Sequence, residues 1–234
     1  MCGRFHLDTP IAEIARVFGL PDVSHLPGLT PRYNIAPTQL VSVVRERDGV
    51  RELATLRWGL VPHWAKDEGI GIKTINARSE TAHEKPAYRQ AFERRRCLIP
   101  ASGFYEWKKT DAGKQPMCAR MVDDSVFGMA GLWESWRPPG DDAPLLETCT
   151  ILTCAANDLL RPIHERMPVI LPPESFAAWL DESARDTAAL KALMAPPPDE
   201  CLRVYPVGRR VNNVRHDGPD LIEPIDPPPE SLFG

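Results

Sequence analysis

Polar and apolar positions alternate with a period of two over much of the chain, which predicts a strand-rich molecule. After a short opening strand, apolar Ile11, Ile14, Ala15 and Phe18 recur at helical spacing. Thr9 as N-cap, Pro10 at the first helical position and Gly19 at the end bound this helix. Pro31 and Pro37 then bracket an extended stretch that cannot be helical. Runs at Leu40 to Arg45 and Arg51 to Trp58 are joined across Asp48-Gly49, a strong hairpin signal. The stretch 58–64 holds two tryptophans among Gly and Pro breakers, which predicts a loop with aromatic side chains near the surface, with core packing as the default for each tryptophan.

A helix is predicted from about Lys85 to Arg94, closed by Arg94-Arg95-Arg96, whose cations complement the helix dipole and read as a solvated face. Further strands are predicted at Cys97 to Pro100, Gly103 to Lys108, Gln115 to Val122, Phe127 to Trp133 and Glu147 to Cys154, with a turn at Asp111-Ala112-Gly113. Between Asn157 and Pro168 the prolines frame an irregular segment. A strand to Leu171, helices around Phe176–Leu180 and Ala188–Met194, and a strand at Leu202–Val207 complete the pattern. The ending Asp226-Pro227-Pro228-Pro229 has the composition of a disordered tail.

At 234 residues with no repeat or composition shift, a single domain is expected. The start lacks a signal-peptide pattern, and no apolar stretch is long enough to span a bilayer. A soluble, cytoplasmic protein is expected. The six cysteines are scattered with no Cys-x-x-Cys pair, so neither a zinc site nor a redox dithiol is indicated; all but Cys2 are read as reduced core residues. A formal net charge of −4 excludes general coating of polyanions, though not a focused basic groove.

Candidate chemistry starts at Met1-Cys2-Gly3-Arg4-Phe5. Removal of Met1 would leave an α-amine and a thiol on adjacent carbons, two nucleophiles for one carbonyl. With an aldehyde they would give an imine and then a thiazolidine; with an amide the thiol would perform acyl transfer. A small buried residue at a strand start fits the same position. In Gly103-Phe104-Tyr105-Glu106-Trp107, Glu106 lies among three aromatics, a setting that raises a carboxyl pKa by desolvation; an outward-facing sheet carboxylate fits the same alternation. Arg78, in a loop that ends a strand, suits a carboxylate or phosphate, whereas Ser79, Glu80 and Thr81 fit capping chemistry. His164 and Arg166, two apart, share a side if their segment is extended.

Six stretches together resemble the SRAP (SOS response-associated peptidase) family: Met1 to Phe5, Tyr33 to Pro37, Trp58 to Pro62, Ile75 to Thr81, Gly103 to Trp107 and Ile163 to Pro168. The resemblance covers Cys2 to about Pro224. It implies an α+β fold with a mostly antiparallel, barrel-like β core and peripheral helices, a domain over 1–225 and a tail over 226–234. It implies covalent cross-linking to abasic sites in single-stranded DNA through Cys2, with Asn76 holding the amine and sugar, and Glu106 and His164 handling protons. Arg4, Arg78, Thr153 and Arg166 would hold phosphates, and Pro37 and Trp64 would also face DNA. No metal or organic cofactor, a monomer, action at DNA damage in the nucleoid, and a peptidase activity limited to self-removal of Met1 complete the implied picture. His63 and Gly208 depart from the family pattern. Two rivals are an N-terminal-cysteine glutamine amidotransferase, against which no Asn-Gly occurs anywhere, and a non-covalent single-strand or modified-base binding module, which leaves the aminothiol unexplained.

Overall fold

The computed structural model describes residues 2–21, 23, 29–111, 113–138 and 144–226. The elements in chain order are β1 (Phe5–Leu7), α1 (Ile11–Phe18), β2 (Arg32–Ile35), β3 (Leu40–Arg47), β4 (Val50–Trp58), β5 (Asn76–Arg78), α2 (Arg89–Arg94), β6 (Arg96–Ala101), β7 (Gly103–Thr110) and β8 (Gly113–Met121). There follow β9 (Phe127–Trp136), β10 (Leu146–Ala155), β11 (Arg166–Pro168), β12 (Ile170–Leu171), α3 (Phe176–Leu180), α4 (Thr187–Ala192) and β13 (Leu202–Pro206).

The strands form a five-stranded sheet, β13-β8-β7-β1-β2, and an eight-stranded one, β11-β10-β4-β3-β6-β9-β12, with β5 on β10. The α+β class read from the sequence holds, as two sheets rather than strictly a barrel. Every pairing is antiparallel except those of β10 with β4 and β5. β10 organises the larger sheet: β4 and then β5 lie along one of its sides, β9 and then β11 along the other. Its Thr153 therefore sits opposite both Arg78 of β5 and Pro168 of β11.

The β3–β4 hairpin turns through Asp48 and Gly49 at φ 52° and 75°, two successive left-handed residues as a type I′ turn requires. At Gly59 the chain leaves β4 with φ 124°, and a Cβ there would stand 2.5 Å from the Gly71 carbonyl oxygen. That backbone-to-backbone approach closes the loop that delivers β5. The core between the sheets is aromatic: Phe5 meets Trp58 edge-on at 5.3 Å, and Phe18 stacks on Phe176 at 5.0 Å.

Three sequence expectations are corrected. Thr9 does not cap α1, because its hydroxyl bonds Ser102 Oγ and the helix starts on the Pro10 carbonyl. The helix expected from Lys85 is regular only from Arg89. The triple arginine is a solvated face only at Arg94: Arg95 pairs with Glu134 at 2.7 Å, and Arg96, 3 % exposed, donates to the carbonyls of Phe92, Glu93, Trp179 and Asp181. Of the two tryptophans at 58 and 64, the first is core and the second surface. Among the described residues no helix is long and apolar enough to cross a membrane. The proline-rich tail beyond 226 and the middle of the turn expected at Asp111-Ala112-Gly113 lie outside the described residues.

Candidate functional site

Cys2 is fully buried immediately before β1. Its carbonyl accepts a 2.8 Å hydrogen bond from Asn76 Nδ2 at the start of β5. Tyr88, from the segment leading into α2, donates its hydroxyl to the Asn76 carbonyl at 3.2 Å. The buried Asn76 Oδ1 accepts no hydrogen bond among the described residues, so the same amide keeps an acceptor for an amine or hydroxyl donor.

Glu106 enters from β7. Phe104 pairs with Phe5, and the Tyr105 N–H donates to the Arg4 carbonyl, which brings the next residue of β7 level with the start of the chain. Glu106 is 5 % exposed, so the outward-facing alternative does not hold. Burial raises its pKa above the usual carboxylate range, and the nearby His164 pulls in the opposite direction. Cys2 is also raised, mainly by burial and further by the charge of Glu106. A thiol so placed stays protonated until positive charge develops beside it or a base takes its proton.

His164 is oriented by its neighbour: its Nδ1 lies 2.9 Å from the Arg166 N and 3.1 Å from the Arg166 carbonyl oxygen, which fixes the ring and leaves Nε2 on its far side. Cys2, Asn76, Glu106 and His164 thus come together from the chain start, β5, β7 and the turn before β11.

The candidate phosphate-holding residues split into two groups. Arg78 is exposed at the end of β5, and Thr153 lies buried between it and Arg166. Arg166 forks onto Glu80, with Nη1 2.6 Å from Oε1 and Nη2 2.9 Å from Oε2, and also reaches the Thr153 carbonyl and hydroxyl. Glu80, read from the sequence as a cap, is therefore the counter-charge of this row, and Arg166 holds its pKa below the usual carboxylate range. Arg4 stands elsewhere, held by Asn34 Oδ1 at 2.6 Å and the Val211 carbonyl at 2.7 Å, with its guanidinium 5.7 Å from the Trp107 ring centre.

Sequence reasoning missed Asn34. This buried amide donates to the carbonyls of Val211, Asn213 and His216 while accepting from Arg4, so it fastens a late loop to the chain start. Its only local signal was a polar residue inside an extended, proline-bracketed run. Pro37 ends that run half-buried and is followed by Thr38 at φ 71°, an uncommon conformation for a β-branched residue. Trp64 is 50 % exposed, and with His63, Pro86, Arg89 and Gln90 it lines a shallow cleft.

A second thiol has a histidine and a carboxylate beside it. Cys118 Sγ is 3.8 Å from His6 Nε2, and His6 Nδ1 is 2.9 Å from Asp8 Oδ1. That order matches a nucleophilic triad, but thiol and ring are wholly enclosed. Burial pushes the Cys118 thiol up to about 12 and holds His6 below its ordinary pKa, so the cluster packs rather than reacts. Among the described residues no group of His, Cys, Asp and Glu could hold a metal ion.

Residues 1–214 match the model of the SOS response associated peptidase (SRAP) family. The chain belongs to the SRAP family. Its relatives include the abasic site processing protein YoqW of Bacillus subtilis, 41% identical over 95% of this chain and 99% of that one. Another is the abasic site processing protein YedK of Escherichia coli, 32% identical over 96% of this chain and 100% of that one. A crystal structure of a protein from Bacteroides thetaiotaomicron, 26% identical, superposes with a TM-score of 0.83 over 96% of this chain and 100% of that one. In the SRAP chain the six motif stretches come together from both sheets, and four of them supply Cys2, Asn76, Glu106 and His164.

Proposed function

We propose that this SRAP protein processes abasic sites in single-stranded DNA by forming a covalent thiazolidine cross-link at Cys2 after Met1 has been removed. The observation that carries the reading is the convergence on Cys2 of Asn76, hydrogen-bonded at 2.8 Å, and of buried Glu106, whose pKa is raised and whose other neighbour is His164. Relatives named abasic site processing proteins support the same substrate.

A ring-opened abasic sugar presents an aldehyde. The Cys2 amine adds to it, with Asn76 Oδ1 placed to accept one N–H, and gives a carbinolamine. Protonated Glu106 donates its proton to the hydroxyl, which leaves as water, and an iminium remains. The new positive charge lowers the thiol pKa, and Glu106, now a carboxylate, takes the thiol proton. The thiolate then attacks the iminium carbon, and the ring closes with nitrogen neutral and Glu106 restored to its acid form. Holding both nucleophiles on one residue makes the second step intramolecular. The residues invoked call for no metal. Arg78, Thr153 and Arg166 form a row suited to the phosphates beside the lesion, and Trp64 offers an exposed ring on which a base can stack. Peptidase activity is confined in this reading to release of Met1.

The test is a denaturing gel of purified protein mixed with an oligonucleotide carrying one abasic site. A retarded band that survives heat and detergent is expected from the chain with a free Cys2 amine, and none from a chain with an uncleaved tag ahead of Cys2. Equal cross-linking by the tagged chain would overturn the mechanism, because its α-amine is blocked.

A further inference from the structure

The cleft beside Trp64, about 380 Å³ in volume, is lined by His63, Trp64, Pro86, Arg89 and Gln90. Its size falls in the range of sites that hold small organic groups. Trp64 Nε1 donates to the Pro86 carbonyl at 3.3 Å, which pins one edge of the indole to the cleft wall while half of the side chain stays exposed. Arg89 and Gln90 are both exposed, and among the described residues neither the guanidinium nor the side-chain amide has a hydrogen-bond or ion-pair partner. An aromatic face with an unengaged amide and guanidinium beside it suits a nucleobase. The ring takes the flat face of the base, and the two polar groups are left to meet its edge.

The wall of the cleft also reaches Cys2. Tyr88, between Pro86 and Arg89 in the chain, donates its hydroxyl to the Asn76 carbonyl, and Asn76 in turn donates to the Cys2 carbonyl. A base held in the cleft therefore belongs to a nucleotide close to the one that meets Cys2. Arginine and glutamine side chains share one target on such a base. Arginine pairs with N7 and O6 of guanine, glutamine with N7 and N6 of adenine, and pyrimidines have no N7. Side by side, Arg89 and Gln90 select purines as a class.

We propose that this cleft binds a purine base flanking the abasic site, with Trp64 stacked on the base and Arg89 and Gln90 reading its N7 edge. The inference rests on the abasic-site reading and adds to it a preference for the sequence around the lesion.

The probe is a set of single-stranded oligonucleotides with one tetrahydrofuran analogue of the abasic site in a thymine background. The analogue has no aldehyde, so binding is read by fluorescence anisotropy without cross-linking, at one fixed salt concentration. Guanine, adenine or cytosine is placed singly at each of the two positions on either side of the lesion. At one or more of these positions guanine and adenine should tighten binding about fivefold or more relative to thymine, and cytosine should not. Taking each ratio to thymine within the same variant, R89A should lower the guanine preference and Q90A the adenine preference. The 7-deaza forms of both purines keep the stacking surface and lose the N7 acceptor, so they should lose most of the gain. A purine preference that survives both the 7-deaza bases and the R89A/Q90A double variant would come from stacking alone and overturn the proposal. Equal affinity for all four bases at every position would overturn it too, while a cross-link still formed with a true abasic site would leave the abasic-site reading standing.

Discussion

Glu106 is the residue on which stability and chemistry pull apart. Its pKa is raised by burial, so between the ordinary carboxylate range and the raised value the folded chain binds more protons than the unfolded one. Stability from this group is therefore present at low pH and lost as pH rises through the folded pKa. E106Q removes that loss without changing size. We expect the Tm of E106Q, relative to that of the parent, to rise as pH is raised, because the parent loses this contribution and the variant does not. Cross-linking by E106Q should be slower by about 10²-fold or more, as for loss of a general acid; thermal melts and gel time courses check both. The two nucleophiles of Cys2 separate in C2A. With Met1 confirmed absent by mass spectrometry, this variant should give no stable adduct but an imine that borohydride traps. Absence of trapping would transfer the first attack to the thiol.

At the scale of elements, the Arg166–Glu80 ion pair ties β11 to the segment after β5, and in the proposed reading DNA would compete with Glu80 for Arg166. Glu80 already takes both of its terminal nitrogens, and a phosphate must displace or share that carboxylate. E80Q should therefore tighten binding of undamaged single strands by about two- to fivefold at low salt, since a half-exposed pair is worth at most about 1 kcal/mol. Its salt dependence should steepen by about 0.7, one more phosphate contact. A titration series in which neither quantity moves would remove Arg166 from the interface. The junction of α2 and β6 makes a different demand. Arg96 gathers four carbonyls from α2, α3 and the turn beyond, and R96M removes the donor from all of them, including the buried bonds to Phe92 and Trp179. The expected cost is at least about 3 kcal/mol, a fall in Tm of about 6–12 °C, with R96K recovering part of it.

Over the whole molecule, local signals located the strands well because antiparallel ladders write an alternating pattern and tight turns need particular residues, as at Asp48-Gly49. What stayed hidden was anything that depended on a distant partner. Arg96 read as a solvated cation because its acceptors are backbone carbonyls, which carry no signature of their own. Asn34 showed nothing of its ties to a loop some 180 residues later. Glu80 carried two meanings, cap and counter-ion, and only the approach of β11 chose between them. The parallel contacts of β10 with β4 and β5 were invisible for the same reason, since the paired segments lie far apart along the chain. The site residues were legible as motifs, but their common location was not readable from spacing alone.

The burial of Cys2 has a consequence in time. The groups that enclose and hold it, Asn76 and the β7 residues around Glu106, are encoded roughly a hundred residues after it. At ribosomal rates of about 5–20 residues per second, those partners arrive about 5–20 s after the chain begins. During that interval the first residues of the nascent chain have no pocket to enter. In the proposed reading, this is the interval in which Met1 would be trimmed. Once β7 has been made and has paired with β1, that access closes, and the later arrival of His164 completes the set. On the proposed mechanism, chain order would place processing of the end before its enclosure, and enclosure before full reactivity.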